Sequence, residues 1–153
     1  MRAQRGASWC LVLSLLGLGL AGYLVFLYLG LMRGELISTP ACGTSGILNC
    51  HAVTASTWSS FLGMPIALWG LLGYVTIFAL ALLGRQSDEW GTHAMTLIFL
   101  LAVVFVAIDT FLLAMMVFVI RFYCLWCLST YVVNLALLVV SARALERPWP
   151  TAL

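Results

Sequence analysis

The sequence has very little charge. Charged residues make up 8% of the chain, lysine is absent, and the formal net charge is +2. Soluble domains contain about 25% charged residues, so the composition excludes an ordinary soluble globular protein. It also excludes nucleic acid as a partner, because a nucleic-acid interface needs a basic patch or stripe. The chain is 64% hydrophobic, which indicates a protein whose surface faces membrane lipid.

Four apolar runs are long enough to cross a bilayer. They cover residues 9–32, 65–83, 94–120 and 124–142. A hydrocarbon core about 30 Å thick needs roughly 20 helical residues, and a backbone in lipid must satisfy its own polar groups as a helix or a closed barrel. None of the runs alternates with the period of two that barrel strands show. The sequence therefore predicts an all-α membrane protein, in which residues 1–153 form one domain built as a four-transmembrane-helix bundle.

The arginines predict the orientation of this bundle. With an even number of spans, both termini lie on one side, together with the loop that carries Arg85. Five of the seven arginines then lie on that side, and only Arg33 and Arg121 lie on the other. Because cytoplasmic segments carry the excess of basic residues, the termini are expected in the cytoplasm. The first outer loop, residues 33–63, is expected on the opposite side.

Four of the five cysteines form two pairs, and both pairs fall on the outer side. Cys124 and Cys127 form a Cys-x-x-Cys motif at the start of the fourth run, whereas Cys42 and Cys50 lie in the first outer loop. Outer compartments are oxidising, so disulfides can persist there. Cys10 lies near the inner end of the first run and is expected to be a free thiol that serves mainly for packing.

The Cys-x-x-Cys motif is suited to redox chemistry. In a helix that starts near Cys124, Cys127 shares its face and lies about 4.5 Å deeper, and a helix N-terminus favours a thiolate. Tyr131 and Asn134 continue the same face towards the bilayer interior. The same residues also allow a static disulfide or half of a metal site for the cysteines, and helix-joining hydrogen bonds for Tyr131 and Asn134.

Thiol oxidation needs an electron acceptor, and the sequence favours a quinone. It has no haem, flavin or nucleotide motif; Gly17, Gly19 and Gly22 follow no strand and indicate close helix packing instead. A thiolate at Cys127 can add to a quinone ring while a tyrosine hydrogen-bonds a ring carbonyl. Asp109, the one ionisable group inside a run, either supplies protons to the quinone or forms a structural hydrogen bond at the depth of Asn134.

A short helix is predicted in the first outer loop. Asn49 is a good N-cap, and a helix that starts at Cys50 would end near Phe61, before Gly63-Met64-Pro65. It is too short to span the membrane and carries apolar side chains, so it is expected to lie in the interface as a half-helix that covers the bundle.

The two loop cysteines are expected to differ in mobility. Cys42 lies among turn-forming residues, so that it can visit an external partner, whereas Cys50 is anchored beside the bundle and can reach Cys124. A structural disulfide that staples the loop is the alternative. No metal site is expected, because a Cys-x-x-Cys in a membrane wall beside a pair spaced by seven residues does not resemble a zinc ribbon.

These motifs together resemble the vitamin K epoxide reductase family over about residues 10–142. The resemblance rests on Cys42-x7-Cys50, Ser56 with Trp58, Gly63-Met64-Pro65, and Cys124-Leu-Trp-Cys127 followed by Tyr131. It implies a helix bundle around a quinone of the ubiquinone, menaquinone or vitamin K type. It also implies that the loop cysteines relay electrons from a thioredoxin-fold, DsbA-like protein, that Cys124 exchanges with Cys50, and that Cys127 faces the quinone.

The resemblance also assigns the pocket. Ser56 matches a hydroxyl residue near it, and Tyr131 matches the quinone-contacting tyrosine. The candidate quinone-contacting residues are Ser56, Trp58, Asp109, Tyr131 and Asn134. The chain is too short for a fused thioredoxin-like domain, so the redox partner is expected in trans, at a bacterial inner membrane. Residues 59–61 stand where vertebrate members carry an asparagine, which favours quinone reduction over epoxide reduction.

The sequence leaves two other interpretations of the function open. The DsbB-type disulfide oxidases also have four helices and two cysteine pairs, but their Cys-x-x-Cys lies in the first outer loop, the reverse of the order here. A claudin-like structural membrane protein would explain a Cys42–Cys50 disulfide, but it gives no reason for a Cys-x-x-Cys at the head of the fourth helix.

Overall fold

Four long apolar helices form the protein. The computed structural model describes residues 2–35, 42, 46–86 and 88–145. Its helices are α1 (Arg2–Met32), α2 (Cys50–Thr54), α3 (Ile66–Gln86), α4 (Asp88–Met115) and α5 (Leu125–Leu145). All but α2 are long and apolar enough to cross a membrane. The prediction of an all-α, four-transmembrane-helix protein is confirmed.

The long helices pack in a ring. Helix α1 packs against α3 and α5, and α4 packs against the same two helices from the other side. Small residues such as Ala7, Ala81 and Ala102 are fully buried where the helices meet, and small side chains let helix backbones approach closely in lipid. Many large apolar side chains point outward, as expected of helices that face acyl chains.

Two helix ends shape the outer side of the bundle. At the end of α1, Gly34 has a φ of +77°, and the Glu35 and Gly34 amides bond back to Gly30 and Leu31; this is the Schellman arrangement that ends helices at glycine. Helix α4 continues into one π-helical turn, Met116–Ile120. Arg121 then adopts a left-handed conformation, with a φ of +60°, and turns the chain towards α5.

The predicted half-helix from residue 50 to residue 61 is not confirmed. Helix α2 ends at Thr54, and a 3-10 turn, Thr57–Ser59, follows it. The Ser59 hydroxyl donates to the carbonyl oxygens of Thr54 and Ser56, at 2.6 and 2.8 Å. Serine and threonine hydroxyls that bond nearby backbone compete with helix formation, which explains why the helix ends early.

A short hairpin replaces the end of the expected helix. Strand β1 (Ser60–Phe61) pairs with strand β2 (Met64–Pro65) in antiparallel register. Leu62 and Gly63 form the turn, and both have positive φ values, of 53° and 78°, which two-residue hairpin turns commonly require. The Gly63-Met64-Pro65 sequence therefore makes a turn and an edge strand, and α3 begins directly after it.

Candidate functional site

The loop cysteines form a disulfide. Cys42 and Cys50 are bonded to each other, with their Cα atoms 5.6 Å apart, and they are only 1% and 2% exposed. Cys50 is the first residue of α2, where the Asn49 side chain caps the helix by accepting from the Ala52 amide at 3.0 Å. The predicted N-cap and the anchoring of Cys50 are thus observed. The neighbours of Cys42, on which its expected mobility rests, lie outside the described residues.

Backbone pairing ties the loop to the start of α5. The Tyr123 amide donates to the Ile47 carbonyl at 2.9 Å, and the Asn49 amide donates to the Tyr123 carbonyl at 3.1 Å. These two bonds form a parallel bridge between Leu48 and Tyr123. Cys50 and Cys124 each lie within two residues of the bridge, so it holds the loop pair beside the Cys-x-x-Cys motif.

Cys124 lies at the N-terminus of α5. It is fully buried and free of any disulfide, and its Sγ accepts a hydrogen bond from the Cys127 amide at 3.3 Å. Hydrogen bonds from the Cys127 thiol, and from the backbone amides of Cys127 and Trp126, lower the pKa of the Cys124 thiol against the opposing effect of burial. The side chain therefore acts as an N-cap that favours a thiolate at the head of a helix.

All four paired cysteines meet in one packed cluster. Cys42, Cys50 and Cys124 are buried together with Val53 and Met116. Partly buried residues surround them: Leu24, Ile120, Trp126, Cys127 and Tyr131. Cys10 instead lies in the core between the inner parts of the helices, free and fully buried, as the sequence indicated.

A cavity of about 1180 Å³ opens beside this cluster. Its wall is mostly apolar and is formed by all four long helices and by residues of the first outer loop. The predicted site residues that line it are Ser56, Trp58, Asp109, Cys127, Tyr131 and Asn134. Cys42, Cys50 and Cys124 do not line it. Of the predicted stripe along α5, the deeper thiol, the phenol and the amide thus face the cavity, whereas the first thiol is sealed in the cluster.

Aromatic residues connect the first outer loop to the helices beside the cavity. Trp58 contacts Phe111 of α4 edge-to-face, with the ring centroids 5.9 Å apart. Trp69 of α3 donates from its indole nitrogen to the Phe61 carbonyl at 3.3 Å. These contacts fasten the loop over the cavity from two helices.

A hydrogen-bonded chain of three side chains crosses the cavity wall. The Tyr74 hydroxyl donates to Asn134 Oδ1 at 2.6 Å, and Asn134 Nδ2 donates to Asp109 Oδ2 at 2.8 Å. The expectation that Asp109 and Asn134 meet at similar depth is confirmed. Tyr74 was not predicted, because nothing distinguishes one tyrosine within an uncharged run of apolar residues.

Two glycines leave room for aromatic rings next to this hydrogen-bonded chain. A Cβ atom at Gly17 would overlap the ring of Tyr74, and a Cβ atom at Gly73 would overlap the ring of Phe105. The Tyr74 and Phe105 rings contact each other edge-to-face, with centroids 5.5 Å apart. Tyr74 is therefore held between α1 and α4, and its exposed fraction is only 2%.

Within the described part of the chain, no group of three or more His, Cys, Asp or Glu side chains could hold a metal ion. The cluster and the cavity wall offer thiol, hydroxyl, amide and carboxyl groups.

A comparison with known protein families agrees with the geometry. The model of the vitamin K epoxide reductase family matches residues 8–142, a span that contains both cysteine pairs and most of every long helix. Family membership and four apolar helices make the protein an integral membrane protein and an oxidoreductase of a kind that acts on thiols and quinones. The chain belongs to the vitamin K epoxide reductase family.

Proposed function

We propose that this protein oxidises the thiols of a thioredoxin-fold, DsbA-like partner in trans and passes the electrons to a membrane quinone, so that disulfides form in exported proteins. Electrons enter through Cys42 and Cys50, move to Cys124 and Cys127, and leave to a quinone in the cavity. One observation carries the proposal. Three of these sulfurs are packed together out of the cavity, while Cys127 alone lines a cavity that is large enough for a quinone ring.

Transfer between the pairs requires one mixed disulfide. When the loop pair is reduced and Cys124 is bonded to Cys127, the Cys50 sulfur attacks Cys124 and releases Cys127. Cys42 then attacks Cys50, and Cys124 leaves as a thiolate. A leaving thiol of low pKa departs faster, so the hydrogen bonds that lower the pKa of Cys124 favour this step. The product has a Cys42–Cys50 disulfide, a Cys124 thiolate and a Cys127 thiol. In the present structure, likewise, Cys42 is bonded to Cys50, and Cys124 and Cys127 form no disulfide.

Quinone reduction follows from that state. The Cys127 sulfur adds to the quinone ring, the Cys124 thiolate attacks Cys127, and the two electrons of the broken sulfur–carbon bond remain on the quinol. Tyr131 lines the cavity four residues after Cys127 and is suited to hydrogen-bond a ring oxygen as negative charge develops on that oxygen. Ser56 and Trp58 complete the contact surface near the loop.

Plain quinone reduction is proposed rather than epoxide reduction. Ser59, Ser60 and Phe61 line the cavity near the loop, and they offer hydroxyl groups and a phenyl ring but no side-chain amide there. We further propose that the protein is a single domain in a bacterial inner membrane, with cytoplasmic termini and the cysteine loop in the periplasm, in accord with the excess of arginines at the termini.

The test is a Cys127→Ala variant in lipid nanodiscs, supplied with a reduced thioredoxin-fold donor and ubiquinone-1. We expect quinone reduction to stop. In the oxidised variant, before donor is added, the Cys124 thiolate can attack Cys50 of the loop disulfide and release Cys42, so a species with Cys50 bonded to Cys124 should be seen by peptide mapping under non-reducing conditions. Cys10→Ala is the matched control, because its thiol is buried but lies outside the cluster, and it should keep normal turnover. Normal quinone reduction by Cys127→Ala would refute the proposal.

A further inference from the structure

The chain from Tyr74 through Asn134 to Asp109 ends at a carboxyl group in the cavity wall. Asp109 is the only acidic residue within the apolar runs, and among the described residues no basic side chain forms an ion pair with it. A lone carboxylate in a mostly apolar, membrane-spanning wall is costly, which favours the neutral acid. Because Asn134 donates to Oδ2, the acid proton belongs on Oδ1, and no other described residue bonds this carboxyl group.

We propose that Asp109 delivers one of the two protons that the quinone takes up, and that Asn134 and Tyr74 hold its carboxyl group in place for this transfer. The inference rests on the proposed quinone reduction and adds a proton source to it. Asp109 is the catalytic residue of this step, because it lines the cavity with Cys127. Asn134 and Tyr74 are positioning residues that act through Asp109.

The balance of protons requires such a donor. With Cys124 as a thiolate and Cys127 as a thiol, the pair holds two transferable electrons but a single proton. Quinone reduction to quinol consumes two electrons and two protons. The second proton comes from Asp109, whose O–H bond breaks as an O–H bond forms at a quinone oxygen. The products are the Cys124–Cys127 disulfide, the quinol and the Asp109 carboxylate, with the same total charge as before.

The next transfer from the loop restores the acid. Oxidation of the Cys42–Cys50 dithiol releases two electrons and two protons. Cys127 takes one proton, Cys124 leaves as a thiolate without one, and the remaining proton returns to Asp109. The carboxyl group thus stores, between the two half-reactions, the proton that the Cys124 thiolate does not carry.

The experiment is single-turnover reduction of ubiquinone-1 by the reduced protein in nanodiscs. Asp109→Asn keeps the size of the side chain but has no acid proton; we expect the rate constant to fall about 100-fold or more, with the apparent Kd for ubiquinone-1 close to normal. Asp109→Glu should restore part of the rate. Thr110→Val is the matched control, since the Thr110 hydroxyl bonds only its own helix, at Val106, and the rate should not change.

A double variant distinguishes a positioning role of Tyr74 from a general loss of structure. Tyr74→Phe removes the hydroxyl that orients Asn134 and should slow quinone reduction less than Asp109→Asn does. Combined with Asp109→Asn, it should add no further loss, because Tyr74 acts only through Asp109. A full additional loss in the double variant would show that Tyr74 is merely structural and would overturn its assignment.

An infrared measurement on the unmodified protein covers the case in which a variant does not fold. The protein is prepared with the Cys42–Cys50 disulfide formed and Cys124 and Cys127 reduced, so that the loop cannot reload Asp109. The band of a protonated carboxyl group should be present in this state and disappear when ubiquinone-1 is reduced in one turnover. An unchanged band, or an Asp109→Asn variant as fast as the unmodified protein, would overturn the inference while leaving the proposed function intact. Failure of the unmodified reduced protein to reduce ubiquinone-1 would instead refute the proposed function itself.

Discussion

The packing of Tyr74 against Gly17 gives a prediction that is independent of the redox chemistry. In a Gly17→Ala variant the new methyl group would overlap several atoms of the Tyr74 ring. The ring cannot move away freely, because Phe105 lies against it and is itself seated over Gly73. Forcing an extra methyl group into a packed core costs about 1–3 kcal/mol.

Gly19→Ala is the matched control for this variant. Both glycines lie in the middle of α1, and replacing either with alanine gains about 1 kcal/mol of helix propensity. A Cβ atom at Gly19 has no neighbour within 4 Å, so only Gly17→Ala carries the overlap. The difference in the free energy of unfolding between the two variants therefore isolates the overlap, and it should be about 1–3 kcal/mol, with Gly17→Ala the less stable.

The assay is equilibrium unfolding in mixed micelles, followed by helical circular dichroism. In a Tyr74→Leu background the ring is absent, and the difference in stability between the Gly17→Ala and Gly19→Ala variants should largely vanish. Equal stability of the two variants in the unmodified background would refute the close contact between Gly17 and Tyr74, and with it the account of how Tyr74 is held.

Three further predictions concern the cysteines and the cavity. Hydrogen bonds lower the pKa of the Cys124 thiol. Their contribution to the stability of the folded protein is therefore fully present above the ordinary thiol pKa, and it is lost as the pH falls through the lowered pKa. The ultraviolet thiolate absorbance of the unmodified protein, minus that of Cys124→Ser, should rise at a pH below the midpoint of a free thiol. Cys127→Ala removes one of the hydrogen bonds and should raise this midpoint pH. An unmoved midpoint would contradict this cause. Tyr131→Phe should raise the KM for ubiquinone-1 several-fold, as loss of a hydrogen bond worth about 1 kcal/mol implies, while thiol exchange with the donor persists; unchanged kinetics would reduce Tyr131 to packing. Asn49→Ala should destabilise the α2 cap by about 1 kcal/mol and slow formation of the Cys50–Cys124 species on a Cys127→Ala background; an unchanged rate would show that the cap does not position Cys50.

The membrane helices could be predicted from the sequence because their signal is additive. Long uncharged runs leave few alternatives to a helix in lipid. At the outer ends of α1, α3 and α5, the observed helix end lies within one residue of the predicted one. The first outer loop was harder to predict. The helix predicted to reach Phe61 ends at Thr54 because Ser56 and Ser59 turn their hydroxyls onto nearby carbonyls. That competition between local bonds and helix depends on geometry that the residue types alone do not specify.

The candidate site also contains contacts that the sequence predicts and contacts that it does not. Spacing along one helix predicted that Cys127, Tyr131 and Asn134 share a face, and depth counting predicted that Asn134 meets Asp109. Tyr74 could not be predicted, because its contact with Asn134 crosses between two helices whose relative rotation the sequence does not reveal. Gly17 gave a partial signal, since small residues indicate close packing, but the neighbouring Gly19 gives the same signal and faces open space.

Under the proposed function, the separation of the two thiols of the Cys-x-x-Cys motif gives a reason for two cysteine pairs. Cys124 is fully buried among the loop cysteines, whereas Cys127 reaches the cavity. A quinone bound in the cavity, as proposed above, would contact one sulfur of the four, that of Cys127. In the proposed relay, electrons pass from the loop pair to Cys127 by exchange at Cys124, which the bridge between Leu48 and Tyr123 holds beside the loop disulfide. A single pair exposed to both substrates would let the quinone react with any thiol that enters, whereas the proposed relay leaves only Cys127 facing the quinone.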